Sequence, residues 1–212
     1  MIHVLSALLK LASANMGLFI EEIGRLLDDH VETFTIQPKK DGKRSDYLKR
    51  WYLTRLLPET RAKYPELHFF LRFIKEFLKI DLYLHKISDD DSDRHLHNHP
   101  WNMIAIPFIG GYDEIVPKQG TDGVAEEDRV IVSHEAPTIH AKSCRAFHSV
   151  RLKRDGNGDK IINWSIIIRA RKEQDWGFMT DEGWIDHTTY LNDLYGPGNW
   201  EREIQDVEEA VS

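Results

Sequence analysis

Residues 91–101 read DSDRHLHNHPW, with histidines at 95, 97 and 99. Neutral imidazole is the commonest side-chain ligand for first-row metals, so the stretch raises a metal site at once. On a strand, residues two apart face the same side. His97 and His99 then stand with Cα atoms about 6–7 Å apart on one face, a spacing at which two imidazoles can chelate one ion. His95 shares that face but lies roughly 13 Å from His99 along an extended chain, too far to reach the same ion without a bend. Pro100 ends the run and favours an extended His99.

A third ligand has to come from another strand. His148, in RAFHSV after the turn KSCRA, is the first choice, and His140 in TIHAK is the second. The expected metal set is therefore His97, His99 and His148. Such a set suits a divalent transition metal, Fe(II) first, with Ni, Cu, Zn or Mn as alternatives. Arg50 and Arg169 are candidates to clamp a carboxylate or phosphate through a bidentate contact. Trp101 and His140 are further candidates for ligand binding. His85 in LYLHKI and Glu114 after GGY are the candidate catalytic groups.

The segments that carry these residues read as short strands. IDLYLHKI, NMIAIPFIGGYDEIV, DRVIVSH, TIHAK, AFHSVRL and KIINWSIIIRAR are rich in β-branched and aromatic residues and are separated by Gly, Pro, Asp or Asn. Such regular spacing predicts an antiparallel sandwich or barrel, with GNGD at 156–159 as a hairpin turn. Upstream, residues 2–29 have helical spacing, and Asn15 and Gly17 divide them into two helices. VETFTIQP reads as a strand, KKDGKRS as a turn with Asp41-Gly42 at its tip, DYLKRWYLTRL as a strand with a helix as the alternative, and PELHFFLRFIKEFLK (65–79) as a helix. The expected plan is α+β but mainly β: a helical segment at 1–30, strands and a helix at 31–79 packing on a barrel, the barrel itself at 80–190, and an acidic tail or helix at 191–212. DWGFMTDEGW reads as a folded loop against the barrel mouth.

The combination resembles the cupin superfamily, an antiparallel barrel or jelly roll. HNHPW is similar to the family's first His-x-His motif, and CRAFH to the later histidine of its second. Residues 46–190, with WSIIIRARKEQDWGF and GWIDHTTY, look like a group of cupin-like proteins of bacteria and phages that carry an HxHPW stretch. The resemblance implies a metal held by histidines inside the barrel. Three residues after His99, where the family usually places a carboxylate, this chain has Asn102, and Lys142-Ser143-Cys144-Arg145-Ala146 replaces the family's Pro/Gly turn. A three-histidine face remains, as in cupin thiol dioxygenases. It implies a dioxygenase-like oxidoreductase acting on a small polar molecule. The alternative is a non-catalytic cupin, phage-type, that binds or sequesters a small anionic ligand. A third reading makes the N-terminal helices an assembly surface.

Composition narrows the partners. The 212 residues are 41% apolar, enough for a core, and carry a net charge of −7, which implies no general affinity for nucleic acid. The single cysteine, Cys144, excludes an internal disulfide and a cysteine-rich zinc site, and fits a reducing, cytoplasmic compartment. No apolar run reaches the roughly 18 residues that span a bilayer. Ala12-Ser13-Ala14 mimics a signal cleavage site, but the start is not basic, and an amphipathic helix is the better reading. The expected partner is a small-molecule substrate or ligand, with neither nucleic acid nor membrane, and a homodimer is open. The acidic runs Asp89-Asp90-Asp91 and EREIQDVEEA read as solvated surface.

Overall fold

A computed structural model describes residues 16–36, 39–40, 43–44, 47–91 and 95–197. Helix α1 covers 16–28 and is followed by β1 (Val31–Ile36), β2 (Lys39–Lys40), β3 (Lys43–Arg44) and β4 (Leu48–Leu56). Two helices come next, α2 (Pro58–Lys63) and α3 (Pro65–Phe77), each opened by a proline, whose missing N–H costs nothing in a first turn. The remaining elements are strands until the end: β5 (Asp81–Ile87), β6 (Leu96–His97), β7 (Met103–Ile109), β8 (Tyr112–Pro117), β9 (Arg129–His134), β10 (His140–Lys142), β11 (Ser149–Leu152), β12 (Asn163–Arg169), β13 (Gly177–Thr180), β14 (Gly183–Asp186), then α4 (His187–Tyr195).

The strands form one six-stranded sheet, β1-β4-β5-β12-β7-β10, two three-stranded ones, β11-β8-β9 and β14-β13-β6, and the two-stranded ribbon β2-β3, all antiparallel. Phe34, Leu48 and Ile87 of the large sheet share a buried cluster with Tyr112, Val150 and Leu152 of the β11-β8-β9 sheet, so the two sheets face each other across a core. The architecture is thus the expected mainly-β sandwich with helices. β1 and β4, from the segment expected to pack on the barrel, hydrogen-bond into the large sheet itself through β5.

Side-chain alternation gives the large sheet two distinct faces. Trp51, Leu84 and Trp164 point outward, where Trp51 and Trp164 stack at 5.5 Å and are covered by Ile20 and Leu27 of α1 and Leu71 of α3. Arg50, Tyr52, Tyr83, His85 and Ser165 point the other way, toward the opposing sheet. Register places Arg50 opposite His85, and His85 opposite Ser165.

Several expected elements appear with small shifts. The expected hairpin at 156–159 closes through the Arg154–Lys160 bridge, with Gly158 at φ 89°. DYLKRWYLTRL is a strand, and the helix at 65–79 ends at Phe77. The first N-terminal helix, the Asp41-Gly42 turn tip and residues 198–212 lie outside the described residues. DWGFMTDEGW contains a regular hairpin, β13–β14, whose first strand pairs with β6. In the acidic run at 89–91, Asp90 and Asp91 are not solvated surface. Asp91 has its side chain only 2% exposed and accepts from Val150 N, and Asp90 accepts from Leu152 N.

Gly24 marks where α1 meets the sheet: a Cβ there would stand 2.9 Å from Trp51 Cζ2. Gly24→Val should therefore lower stability by about 1–3 kcal/mol, as overpacking does. Gly17→Ala on the same helix meets nothing within 4 Å and should leave stability unchanged or raise it. Urea denaturation of both variants checks the docking of α1.

Candidate metal centre

His97, His99 and His148 come together: one ring nitrogen from each lies within 4.8 Å of the others. The backbone enforces part of this. His97 N donates to His148 O and His148 N to His97 O, both at 2.8 Å, so the two residues are a directly opposed antiparallel pair with side chains on one face. His99 reaches the same point because Asn98 turns the other way. The side-chain Oδ1 of Asn98 accepts from Gly177 N at 2.8 Å and the backbone N–H of Asn98 donates to Gly177 O, pinning the HNH segment to β13. Gly177 has no room for a side chain, since a Cβ would sit 2.1 Å from Ile185 O. His99 Nε2 and His148 Nε2 are 2.7 Å apart, and the His97 ring centroid lies 4.7 Å from that of His148 and 5.3 Å from that of His99.

The electrostatics favour lone pairs. Burial is the first cause that holds all three imidazoles neutral, pulling His97 down to about 4 and His99 well below 6.5. Behind His148 stands Glu114 of β8. His148 Nδ1 lies 2.5 Å from Glu114 Oε1, and the same carboxylate takes Lys142 Nζ and lies 3.3 Å from His134 Nε2. A carboxylate on Nδ1 fixes the tautomer and leaves the Nε2 lone pair facing the other histidines. Burial opposes the charge of Glu114, but the contact with His148 and the cation of Lys142 hold it well below the usual carboxylate range. His97 has a looser counterpart: its Nδ1 is 3.8 Å from Asp91 Oδ2 and makes no hydrogen bond among the described residues.

These residues fit a divalent transition ion. Zinc, for example, takes imidazole nitrogen at about 2.0–2.1 Å, with ligand nitrogens then roughly 3–3.5 Å apart. The His99–His148 pair, at 2.7 Å, is slightly closer than that spacing, and all three donors lie within 4.8 Å of one another. His95 is outside the group, as strand geometry requires. Its Nδ1 lies 3.0 Å from Tyr190 OH on α4.

Other expected site residues fall elsewhere. Glu114 is neither ligand nor free base, because its carboxylate backs His148. Asn102 is directed away: its side-chain Oδ1 accepts from Cys144 N at 2.9 Å and its side-chain amide donates to Glu173 at 2.8 Å, so it ties the loop after His99 to the loops at Cys144 and Glu173. His140 is held by Tyr112 OH at 2.8 Å and stacks on His134 at 3.8 Å, outside the triad. Arg169 is not a free clamp. Its Nη2 donates to Asp81 at 2.9 Å, its Nε to Tyr83 OH, and its guanidinium lies over Trp101, which thereby becomes part of a packed wall. His85 accepts from Arg50 Nε at 2.7 Å and is held neutral by burial and then by that cation.

Sequence reasoning missed Asp91, Lys142 and the WGF hairpin. The last had a signal in hand: a glycine between two aromatics, Trp176 and Phe178, whose rings lie 6.3 and 5.8 Å from His97.

No protein-family model matches the chain, and no curated protein sequence matches it. Among solved structures, it is similar to a cupin-2 domain protein from Rhodospirillum rubrum, with 11% identity and TM-score 0.42 over 72% of this chain and 78% of that one. A cupin 2 conserved barrel domain protein from Rhodopseudomonas palustris gives 10% identity and TM-score 0.41 over 71% and 80%. The Fe(II) form of HppE gives 12% and 0.38 over 64% of this chain and 56% of HppE, so the chain spans little more than half of that protein's length. At such identities the likeness concerns the chain path alone, and the chemistry of the centre rests on its own residues. No helix among the described residues is long and apolar enough to cross a membrane.

Two outcomes follow from the centre. Glu114→Gln keeps the shape but removes the charge behind His148, and should weaken metal affinity about 10–100-fold in a chelator competition. The metal-free protein should also lose stability in acid. The folded values of His97 and His140 are pulled down to about 4, from 6.5 in the open chain. The unfolded chain then binds more protons between those limits. Stability is full above pH about 6.5 and declines as the pH falls toward 4. Urea midpoints across that range read the slope.

Proposed function

We propose that the chain is a metal-binding, cupin-like protein. It holds a divalent transition metal on His97, His99 and His148 and serves as a metal-dependent, dioxygenase-like oxidoreductase on a small polar molecule. The observation that supports this best is the convergence of three neutral imidazoles, one buried and two half-buried, from two antiparallel partners and their neighbouring loop, with a carboxylate behind one of them. Fe(II) is the first choice of metal, and Ni, Zn or Mn are the alternatives. When bound, the ion would supply Lewis acidity and open coordination positions. The chain itself supplies the rest. Glu114 and Lys142 keep His148 in one tautomer. Asn98 and Gly177 hold the HNH segment in place. Trp176 and Phe178 present apolar ring surface beside His97 and limit water there.

A specific observation favours a second reading, a non-catalytic binder of a small anion. Among the described residues, the groups best suited to acid–base work are already engaged: Glu114 with Lys142, His148 and His134, and His85 with Arg50. Such a protein would hold its ligand without turning it over.

Elemental analysis of tag-free protein grown in supplemented medium tests the shared part of both readings. About one transition-metal ion per chain is expected, lost in the His97→Ala/His99→Ala variant while circular dichroism stays native. A content far below one per chain, or one untouched by the double substitution, would overturn the metal centre. Oxygen uptake by the metal-loaded protein with a panel of small organic acids then separates enzyme from binder.

A further inference from the structure

Arg50 stands apart from the other arginines around the interior. Arg55 and Arg169 both bind the buried carboxylate of Asp81, at 3.0 and 2.9 Å. The carboxylate of Glu114 is taken by Lys142 and two histidines, and that of Asp91 by Tyr47 OH and Val150 N. Each of these interior acids therefore has its partners. Arg50 has no acid: among the described residues its guanidinium makes one hydrogen bond, from Nε to His85 Nε2 at 2.7 Å, and no ion pair.

That single bond is informative. His85 is neutral, so its Nε2 lone pair fixes the plane of the guanidinium without cancelling its charge. Aromatic faces complete the seat: Arg50 Cζ lies 5.2 Å from the ring centre of Phe34, 6.0 Å from Tyr52 and 4.8 Å from Tyr83. Rings on several sides restrict the side chain to one arrangement and attract its charge. The edge left over is the pair of Nη atoms with four N–H donors, the end-on fork that takes two oxygens of a carboxylate or phosphonate at once. The fork belongs to the face of the sheet that looks across the sandwich, and Tyr83, over which the guanidinium lies, has its ring 6.4 Å from that of Trp101, two residues beyond His99, so the fork stands on the histidine side of the interior.

We infer that Arg50, held by His85 and framed by Phe34, Tyr52 and Tyr83, is the anchor for the oxyanion group of a small organic acid that binds beside the three histidines. The inference rests on the metal-centre reading and names its ligand class: a small molecule with a carboxylate or phosphonate head group. Its reactive or metal-facing portion would extend from the fork toward His97, His99 and His148. A neutral or cationic molecule of the same size would leave the fork unpaired and bind poorly, since a donor set deprived of its acceptor loses more than the bond itself.

The test uses the full chain loaded with Zn(II), which is redox-inert, titrated in a calorimeter with glycolate and separately with methylphosphonate. Saturable binding of at least one is expected, and whichever binds names the head group. Affinity should fall at least tenfold in Arg50→Gln. It should also fall in Arg50→Lys, which keeps the charge but lacks the fork and is the milder substitution should the first one misfold. Zinc should stay at one per chain in the wild type and both variants. Absence of saturable anion binding by the zinc-loaded wild type, or unchanged affinity in the folded variants, would overturn the role of Arg50. A wild type that holds no zinc would instead sink the metal centre, and the same titrations on the metal-free chain would still judge Arg50.

Discussion

The interior of this protein depends on the carboxylate of Glu114. It is buried, and a buried charge is expensive by several kcal/mol unless its partners are well placed. Here three elements supply them: Lys142 at the end of β10, His148 before β11 and His134 at the end of β9. Because β8 carries Glu114 between β9 and β11, the ionic contacts and the sheet register specify the same arrangement. Loss of the carboxylate would leave the Lys142 ammonium buried without its counter-charge and His148 free to change tautomer.

From that anchor the centre assembles outward. His148 exchanges both backbone hydrogen bonds with His97, and His97 belongs to a two-residue strand that pairs with β13. The β13–β14 hairpin is therefore part of the histidine centre, although none of the three histidines lies on it. Gly177 allows β13 to lie close to β14, and Asn98 locks the ligand segment to that same glycine. A similar economy governs the opposite face of the interior. Asp81 collects Thr54, Arg55 and Arg169, which leaves Arg50 as the one described interior arginine outside an ion pair, seated by a neutral histidine and aromatic rings. The two clusters separate charge that would otherwise cancel.

Much of the fold was legible because its signals are local. The alternation in IDLYLHKI and KIINWSIIIRAR, the glycines at 110–111 and the GNGD turn each announce a strand or its end within a few residues. The proline-opened helix at 65–77 is equally plain. The roles of charged residues were not legible. Asp89-Asp90-Asp91 looks like a solvated run, and only burial against Val150, Leu152 and Tyr47 makes it structural. Arg169 and Arg50 look alike in sequence, and what separates them is which one meets Asp81. Asn102 occupies the spacing of a ligand but bonds to the loops on either side.

By itself, then, the sequence determined the ligand pair and its limits: a two-residue repeat puts His97 and His99 together and leaves His95 too distant. It also determined the mainly-β class, because period-two alternation and turn residues are properties of short segments. The sequence also named His148 ahead of His140, and tertiary structure decided between them and set their surroundings. His148 joins because it is opposed to His97 across an antiparallel pair, Glu114 stands behind it, and Arg50 has no ion pair among the described residues. Those outcomes depend on register and on the competition of several cations for few buried carboxylates. Neither quantity is local, so neither is written in the spacing of residues along the chain.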